Sequence, residues 1–296
     1  MALHAKGAAA RVYRLVVRAL SGRGLDRFPL VRRVDNAVLG LFRRREVTVD
    51  GHRLALDPLD SLHLSAFGAY EPLVAEFLEG EGRAGDVVAD IGAHIGLHAL
   101  ACARRAGPGG KVYAFEPEPQ NFALLSRNVL QNGYRNVVCE RAAVGAVDGR
   151  ATLYTSALDS ADNRLFDAGG RRAVDVACVR PDTYFARAGA SPRVIKMDVE
   201  GGEPAILGAM GALLDRPDLV IVTELRPDLI EAGGGDPAAF LAALTGRGFA
   251  LSRFDERRGR LEPAEPAELL RLHPAARHTG VNLLCQRPGA AASAGG

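Results

Sequence analysis

From residue 85 onward, short apolar runs alternate with longer stretches in which apolar residues recur at helical spacing. Asp86–Ile91, with valines at 87 and 88 and glycines close on both sides, predicts a buried parallel strand. Gly92 and Gly96 then open a helical pattern over Leu97–Arg105 that stops at Gly107-Pro108. The apolar run Val112–Phe115 ends in Glu116, and Pro117–Asn132 follows as a helix with Phe122, Leu125 and Val129 on its core side. Val137–Cys139, Ala151–Thr155 and Ala173–Val179 predict three more strands, and Asp182 heads a short helix. The polar loop Ser156–Arg172 is longer than a connector needs and is expected to be a substrate lid. Arg193–Gly201 holds a fourth core strand with a heavily charged end, and Leu219–Thr223 a fifth that ends at Glu224. A helix at Pro237–Thr245 and strands at Ala250–Phe254 and Val281–Cys285 complete the series. Asp255–Arg260 reads as a loop, and the lack of a clear helix between the last two strands predicts an antiparallel closing hairpin.

Upstream the pattern is different. Residues 1–45 are basic and helical in period, with Val12, Leu15, Val16, Ala19 and Leu20 on one side and Arg11, Arg14 and Arg18 elsewhere. Such a segment packs on its own domain or on a partner subunit, as in a homodimer, or lies on a membrane surface. Val47-Thr48-Val49 and Leu54-Ala55-Leu56 flank Asp50-Gly51, a hairpin signal over 46–56. Tyr70-Glu71-Pro72 starts a helix that ends at Gly80–Gly85. The expected division is an N-terminal extension over 1–84, a core domain over 85–287 and a disordered tail over 288–296.

Alternating strands and helices with charged residues at successive strand ends specify an α/β fold, a Rossmann-like doubly wound sheet with its site at the carboxyl edge. Composition changes little in this picture. A 48% hydrophobic, 24% charged chain of net charge +2 is a well-cored soluble globule with no case for a nucleic-acid partner. Cys102, Cys139, Cys178 and Cys285 are far apart with no C-x-x-C pair, which predicts free thiols in a reducing compartment. No apolar run approaches the length of a membrane span, so a cytoplasmic protein is expected.

Candidate chemistry gathers at the first glycine turn. A glycine turn admits close backbone approach to a ligand, and Glu116, twenty residues after Gly96, is placed to accept from both hydroxyls of a ribose. The spacing Asp90-x-Gly92-x-x-x-Gly96 lacks the closely spaced glycine trio of a pyrophosphate site. An acid ahead of the first glycine repels phosphate but suits an ammonium or sulfonium group, both of which S-adenosylmethionine carries with its ribose. The small residues from Ala142 leave room for a flat base, or simply pack closely. Lys196, Asp198 and Glu200 share one face as long as strand geometry lasts, as reacting groups or as a structural charge network.

These residues resemble the S-adenosylmethionine-dependent methyltransferases of the FkbM type. The resemblance rests on Tyr70-Glu71-Pro72, Asp90–Gly96, Phe115-Glu116-Pro117, Asn121, Asn128, Ala142–Gly145 and Lys196-Met197-Asp198-Val199-Glu200-Gly201, and covers roughly residues 65–226. It implies the seven-stranded class I fold and methyl transfer to oxygen, on a hydroxyl of a sugar, glycan or secondary metabolite. It also implies cofactor contacts from Tyr70, Glu71, Asp90, Gly92, His94, Gly96, Glu116, Pro117, Asn121, Ala142 and Asp198. His94 stands where the family usually has Asn, Gly202 where it usually has Ala, and Arg180-Pro181-Asp182 keeps only the acid of the usual Thr-Leu-Asp. His94 and His98 have the i,i+4 spacing of a metal pair but no third ligand nearby in sequence.

For methyl transfer, Asp198 is the first choice for the base or acceptor-positioning residue, with Lys196 and Glu200 behind it. A Mg²⁺-dependent variant would use Asp198 with Glu224. A nicotinamide-dependent reductase shares the strand–turn–helix and ribose acid, but this chain lacks the phosphate turn and any Tyr-x-x-x-Lys or comparable hydride-site pair, and a non-catalytic scaffold would not keep the ligand-facing positions. Acceptor specificity is expected in residues 1–70, 156–172 and 255–280, where no motif is readable.

Overall fold

Asp50 and Gly51, both with positive φ (48° and 83°), turn the chain between β1 (Glu46–Val49) and β2 (His52–Ala55), which pair antiparallel as the flanking apolar triplets predict. The structure is a computed structural model describing residues 10–17, 19, 24–167 and 169–289. Its centre is an eight-stranded sheet. The strands are β3 (Val87–Ile91), β4 (Lys111–Phe115), β5 (Val137–Glu140), β9 (Val194–Met197), β10 (Val220–Leu225), β11 (Ala250–Asp255), β12 (Arg260–Pro263) and β13 (Val281–Gln286). Their spatial order is β12-β11-β13-β10-β9-β3-β4-β5, parallel from β10 through β5 and antiparallel where β13 joins β10 and β11. The seven strands expected for a class I methyltransferase fold are present, with β12 added at one edge.

Three further strands, β6 (Ala143–Val144), β7 (Gly149–Thr155) and β8 (Arg172–Val179), form a separate sheet ordered β6-β8-β7. The predicted strands at 151–155 and 173–179 therefore exist but pair with each other. The stretch after β11 differs from expectation. Asp255–Arg260 is the turn of a β11–β12 hairpin, and a helix, Pro266–Leu272, intervenes before β13. So β11 and β13 are antiparallel neighbours joined by 25 residues of structure rather than a closing hairpin. That helix has Leu269 as its one fully buried side chain, too weak an apolar stripe to read from the sequence.

Period-two alternation gives the sheet two apolar faces. Ala89, Ile91, Phe115, Ile195, Met197 and Ile221 pack with Phe185, Ile206 and Leu241 on one side. Val88, Val112, Val194 and Val222 pack with Leu78, Leu100 and Leu125 on the other. A fully buried Leu or Ile contributes about 1.5–3 kcal/mol, whereas exposed pairs such as Arg150–Asp175 are screened by solvent and contribute little. Apolar burial therefore holds the sheet. Arg193, only 2% exposed, enters β9 with its guanidinium on Asp86 and Glu81, tying the start of β3 to the end of the helix Pro72–Glu81.

The N-terminal helix over residues 10–17 docks through Tyr13, whose ring lies 5.3 Å edge-on to Phe42 and whose hydroxyl donates to Asp35 at 2.7 Å. Val12, Leu15, Val16 and Ala19, the stripe chosen from spacing, face solvent instead, because one buried aromatic anchor with a hydrogen bond outweighs these four aliphatics. Arg18, Leu20 and the tail from residue 290 lie outside the described residues. No described helix is long and apolar enough to cross a membrane.

Candidate active site

The order of strands reverses between β9–β3 and β3–β4, and a crevice opens at their carboxyl ends. Asp90 and Lys196 are register partners there, on the face that alternation directs toward Val88 and Val194. Asp90 is 1% exposed, and neither carboxylate oxygen has a hydrogen-bond partner; the Lys196 Nζ stands 4.0 Å from Oδ1. The same Nζ reaches Asp198 Oδ2 at 3.3 Å. Burial pushes the Lys196 ammonium down, but Asp198, Asp90 and Glu71 outweigh it and hold the pKa above the usual lysine range.

Gly92 (φ 82°) and Gly96 (φ 93°) bracket the turn. A Cβ on Gly92 would sit 1.9 Å from the Asp198 carbonyl oxygen, and one on Gly96 would sit 2.8 Å from Leu125 Cδ1. These glycines are thus required by the chain's own close crossing of the β3 and β9 turns and by the helix Pro119–Gln131, as well as by conformation. Asn128 belongs to the same scaffold: fully buried, it bonds both backbone groups of Ala55 and the carbonyl of Ile95.

Glu116 closes the far side. Its carboxylate accepts from the backbone N–H of His94 (3.0 Å) and of Glu118 (2.8 Å). Burial pushes it up to about 7 despite those bonds. His94, in the left-handed region at φ 49°, places its ring Nε2 2.8 Å from Ser160 Oγ, and burial lowers its pKa so that the ring is neutral. His98 turns toward Glu71 instead, 3.5 Å away, so the two histidines form no metal pair. Glu71 also accepts from Asn282 of β13 at 2.7 Å; burial opposes ionisation, but His98, Lys196 and Asn282 hold its pKa below the ordinary range.

One cavity of about 60 Å³ collects Gly92, His94, Glu116, Pro117, Asn121 and Ala142 with Asp198 and Glu200. Tyr70, Glu71, Asp90, Gly96, Lys196 and Glu224 are not in its wall. Ala142, Ala143 and Val144 supply the flat apolar strip. β9 ends at Met197, so Asp198 and Glu200 do not share a face by strand alternation. Glu200 takes φ 56°, and that left-handed turn, not the pleat, brings the Asp198, Glu200 and Glu224 carboxylates within 4.8 Å of one another. Burial drives Glu200 and Glu224 well above the usual carboxyl range, helped by Asp162 at the first and by Glu200 and Asp198 at the second.

Four participants were not read from the sequence. Glu203 accepts from Val199 N (2.9 Å) and Gly201 N (3.0 Å), holding the Asp198 turn in shape; an acid in a helix's first turn just after Gly-Gly was the available signal. Asn282 had no signal. Ser160 and Asn163 line the cavity from the β7–β8 loop. Ser160 is the hub of that loop: its Oγ meets His94, its N–H donates to Ser61 Oγ, and its carbonyl accepts from Asn121 and Asn163. On the outer side Asn121, Ser160 and Asn163 also line a cleft of about 1030 Å³.

Residues 90–251 match the family described as the methyltransferase FkbM domain. The chain is similar to the hexuronic acid methyltransferase AglP of Haloferax volcanii, 29% identical over 150 residues that span 50% of this chain and 60% of that protein. It is also similar to the 31-O-demethyl-FK506 methyltransferase FkbM of Streptomyces tacrolimicus, 42% identical over 79 residues, 26% of this chain and 30% of that protein. The matched stretch thus covers less than two thirds of either relative. Among solved structures, a methyltransferase FkbM from Methylobacillus flagellatus aligns with a TM-score of 0.41 at 14% identity, over 78% of this chain and 56% of that one.

Proposed function

The chain belongs to the methyltransferase FkbM domain family, and from that premise we propose that it transfers a methyl group from S-adenosylmethionine to a hydroxyl of a sugar or secondary metabolite. The observation that carries the cofactor is Asp90: a buried carboxylate two residues before the glycine turn, behind the cavity wall, whose oxygens accept no hydrogen bond and whose one ion-pair partner, Lys196, stands 4.0 Å away, has acceptor capacity left for a cationic amino group. Glu116 takes the ribose diol, and Ala142 with its neighbours lies against the base. S-adenosylmethionine supplies a methyl carbon already joined to a good leaving group. What falls to the protein is to hold the acceptor hydroxyl in line and to receive its proton. Asp198 does this, with Lys196 fixing its orientation and charge. The cavity is too small for a nucleoside as it stands, so the Ser160 segment must move outward for entry, in the manner of a lid. Calorimetry with S-adenosylmethionine and with its demethylated product tests the site directly. Failure of both to bind the folded chain would overturn it.

Glu116 makes the affinity pH-dependent. A diol donates to the ionised carboxylate, and the unliganded group titrates at about 7. Affinity is therefore fully present above pH 7 and lost as pH falls through it, by about tenfold per unit below. Dissociation constants between pH 5.5 and 8 should show this slope, and Glu116→Gln should flatten it; a level wild-type profile would take the ribose away from Glu116.

Asp198, Glu200 and Glu224 are an all-oxygen donor set that a hard divalent cation accepts. Lys196 already compensates Asp198, and burial pushes Glu200 and Glu224 upward, which disfavours the charged carboxylates that a cation needs. Turnover is therefore expected to stay within about twofold after chelation with EDTA. A loss restored by Mg²⁺ would instead place a cation on these three carboxylates.

A further inference from the structure

The cleft of about 1030 Å³ outside the cofactor cavity draws most of its lining from three segments that the sequence leaves without motifs, the turn and helix over residues 27–33, the loop between β7 and β8, and residues 226–232, with residues 57–59, 118–121 and His278 completing it. Two of them are tied together across it. Arg32, on the helix Pro29–Gly40, reaches Asp159 at 2.8 Å, and Asn36 donates to the Leu158 carbonyl at 2.9 Å. The N-terminal segment is therefore one wall of the cleft.

Its charge is lopsided. Seven arginines line it against four carboxylates, a surplus of three in a chain whose whole net charge is +2. Three of the arginines, Arg32, Arg164 and Arg171, converge on buried Asp162 at 3.2, 2.6 and 2.8 Å. Arg33 and Arg172 are exposed in the cleft and have no carboxylate within ion-pair distance among the described residues. Guanidinium groups match carboxylate and phosphate oxygens two at a time, and a concave wall of one sign concentrates the field on its occupant. Asn121, Thr155, Ser156, Ser160 and Asn163 add hydroxyl and amide groups that suit the hydroxyls of a sugar, and Leu59, Leu158 and Leu229 add apolar wall that suits its C–H faces. No Phe, Tyr or Trp lines it, so the stacking platform that single-stranded nucleic acid uses is missing.

We propose that the acceptor is an anionic sugar, a uronate or a sugar phosphate, whose negative group is held by Arg33 and Arg172. Its hydroxyl is presented at the opening shared by Asn121, Ser160 and Asn163. This rests on the methyltransferase assignment above, because it makes the cleft the acceptor's side of that cofactor cavity. The three guanidiniums on Asp162, one of them shared with Asp159, leave that part of the wall with one positive charge in excess.

The test is calorimetry on the full chain loaded with S-adenosylhomocysteine, titrated with three tetrasaccharides of matched length: a neutral glucan, an oligogalacturonate and a phosphorylated glucan. At least one charged oligosaccharide should bind about tenfold or more tighter than the neutral one, with affinity falling as salt rises. The Arg33→Gln/Arg172→Gln double variant should lose that preference while its melting temperature and S-adenosylhomocysteine affinity hold, since both side chains are exposed. Preference for the uronate over the phosphate, or the reverse, identifies the anion. Equal binding of neutral and charged sugars, binding of none, or full preference retained by the double variant each overturns the proposal and leaves the cofactor site standing. Failure to bind S-adenosylhomocysteine removes both together.

Discussion

An Asp198→Asn protein is expected to bind S-adenosylmethionine within a few-fold of wild type and to turn over about 10²–10⁴-fold more slowly. The side chain stands at the wall of the cavity with Lys196 Nζ 3.3 Å from its Oδ2. The amide has the same shape, so the turn held by Glu203 keeps its conformation. What the amide lacks is a negative oxygen able to receive the hydroxyl proton. The same substitution leaves Lys196 with Asp90 and Glu71 for compensation, so the ammonium stays charged and the fold should survive. Single-turnover measurement separates this from a binding defect. A turnover number within about fivefold of wild type would assign the proton to another acceptor.

The second large effect is on binding. Asp90→Asn should weaken S-adenosylmethionine about a hundredfold, because a hydrogen bond to a charged partner in a buried site contributes about 1.5–3 kcal/mol. Neither oxygen of Asp90 accepts a hydrogen bond within the protein, and its one internal partner is the Lys196 ammonium at 4.0 Å, which Asp198 and Glu71 also compensate. Calorimetry measures it, with the melting temperature as a check that the core is intact. Asp90 and Asp198 then divide by observable: affinity falls in the first variant and rate in the second. If Asp90→Asn bound the cofactor as tightly as wild type, the carboxylate would be only the counter-charge of Lys196, its register partner on β9.

Much of this site is local in the chain. Asp90, Gly92 and Gly96 lie within seven residues, and Glu116 ends the next strand. A strand followed by a tight turn and a helix is specified by neighbours a few residues apart, so periodicity and turn chemistry carry it. The glycines were legible for a partly different reason from the one that requires them. Gly92 is needed by the Asp198 carbonyl beside it, a contact across more than 100 residues that no spacing rule reveals. Lys196, Asp198 and Glu200 were identifiable as an unusual strand end, but their common face was not. Strand geometry ceases at Met197, and the left-handed Glu200 does the gathering.

The sequence by itself determined the α/β alternation, the β1–β2 hairpin, the glycine turn after β3 with its acid and the charged end of β9, all set by interactions within about twenty residues. Tertiary structure alone decided that β7 and β8 leave the main sheet, that Tyr13 rather than the aliphatic stripe docks the N-terminal helix, and that Ser160 meets His94 at the cavity beside the glycine turn. It also decided that arginines more than 130 residues apart, Arg33 and Arg172, face one cleft. Packing makes these choices because each compares burial and hydrogen bonds among alternative partners, and the partners lie far apart along the chain.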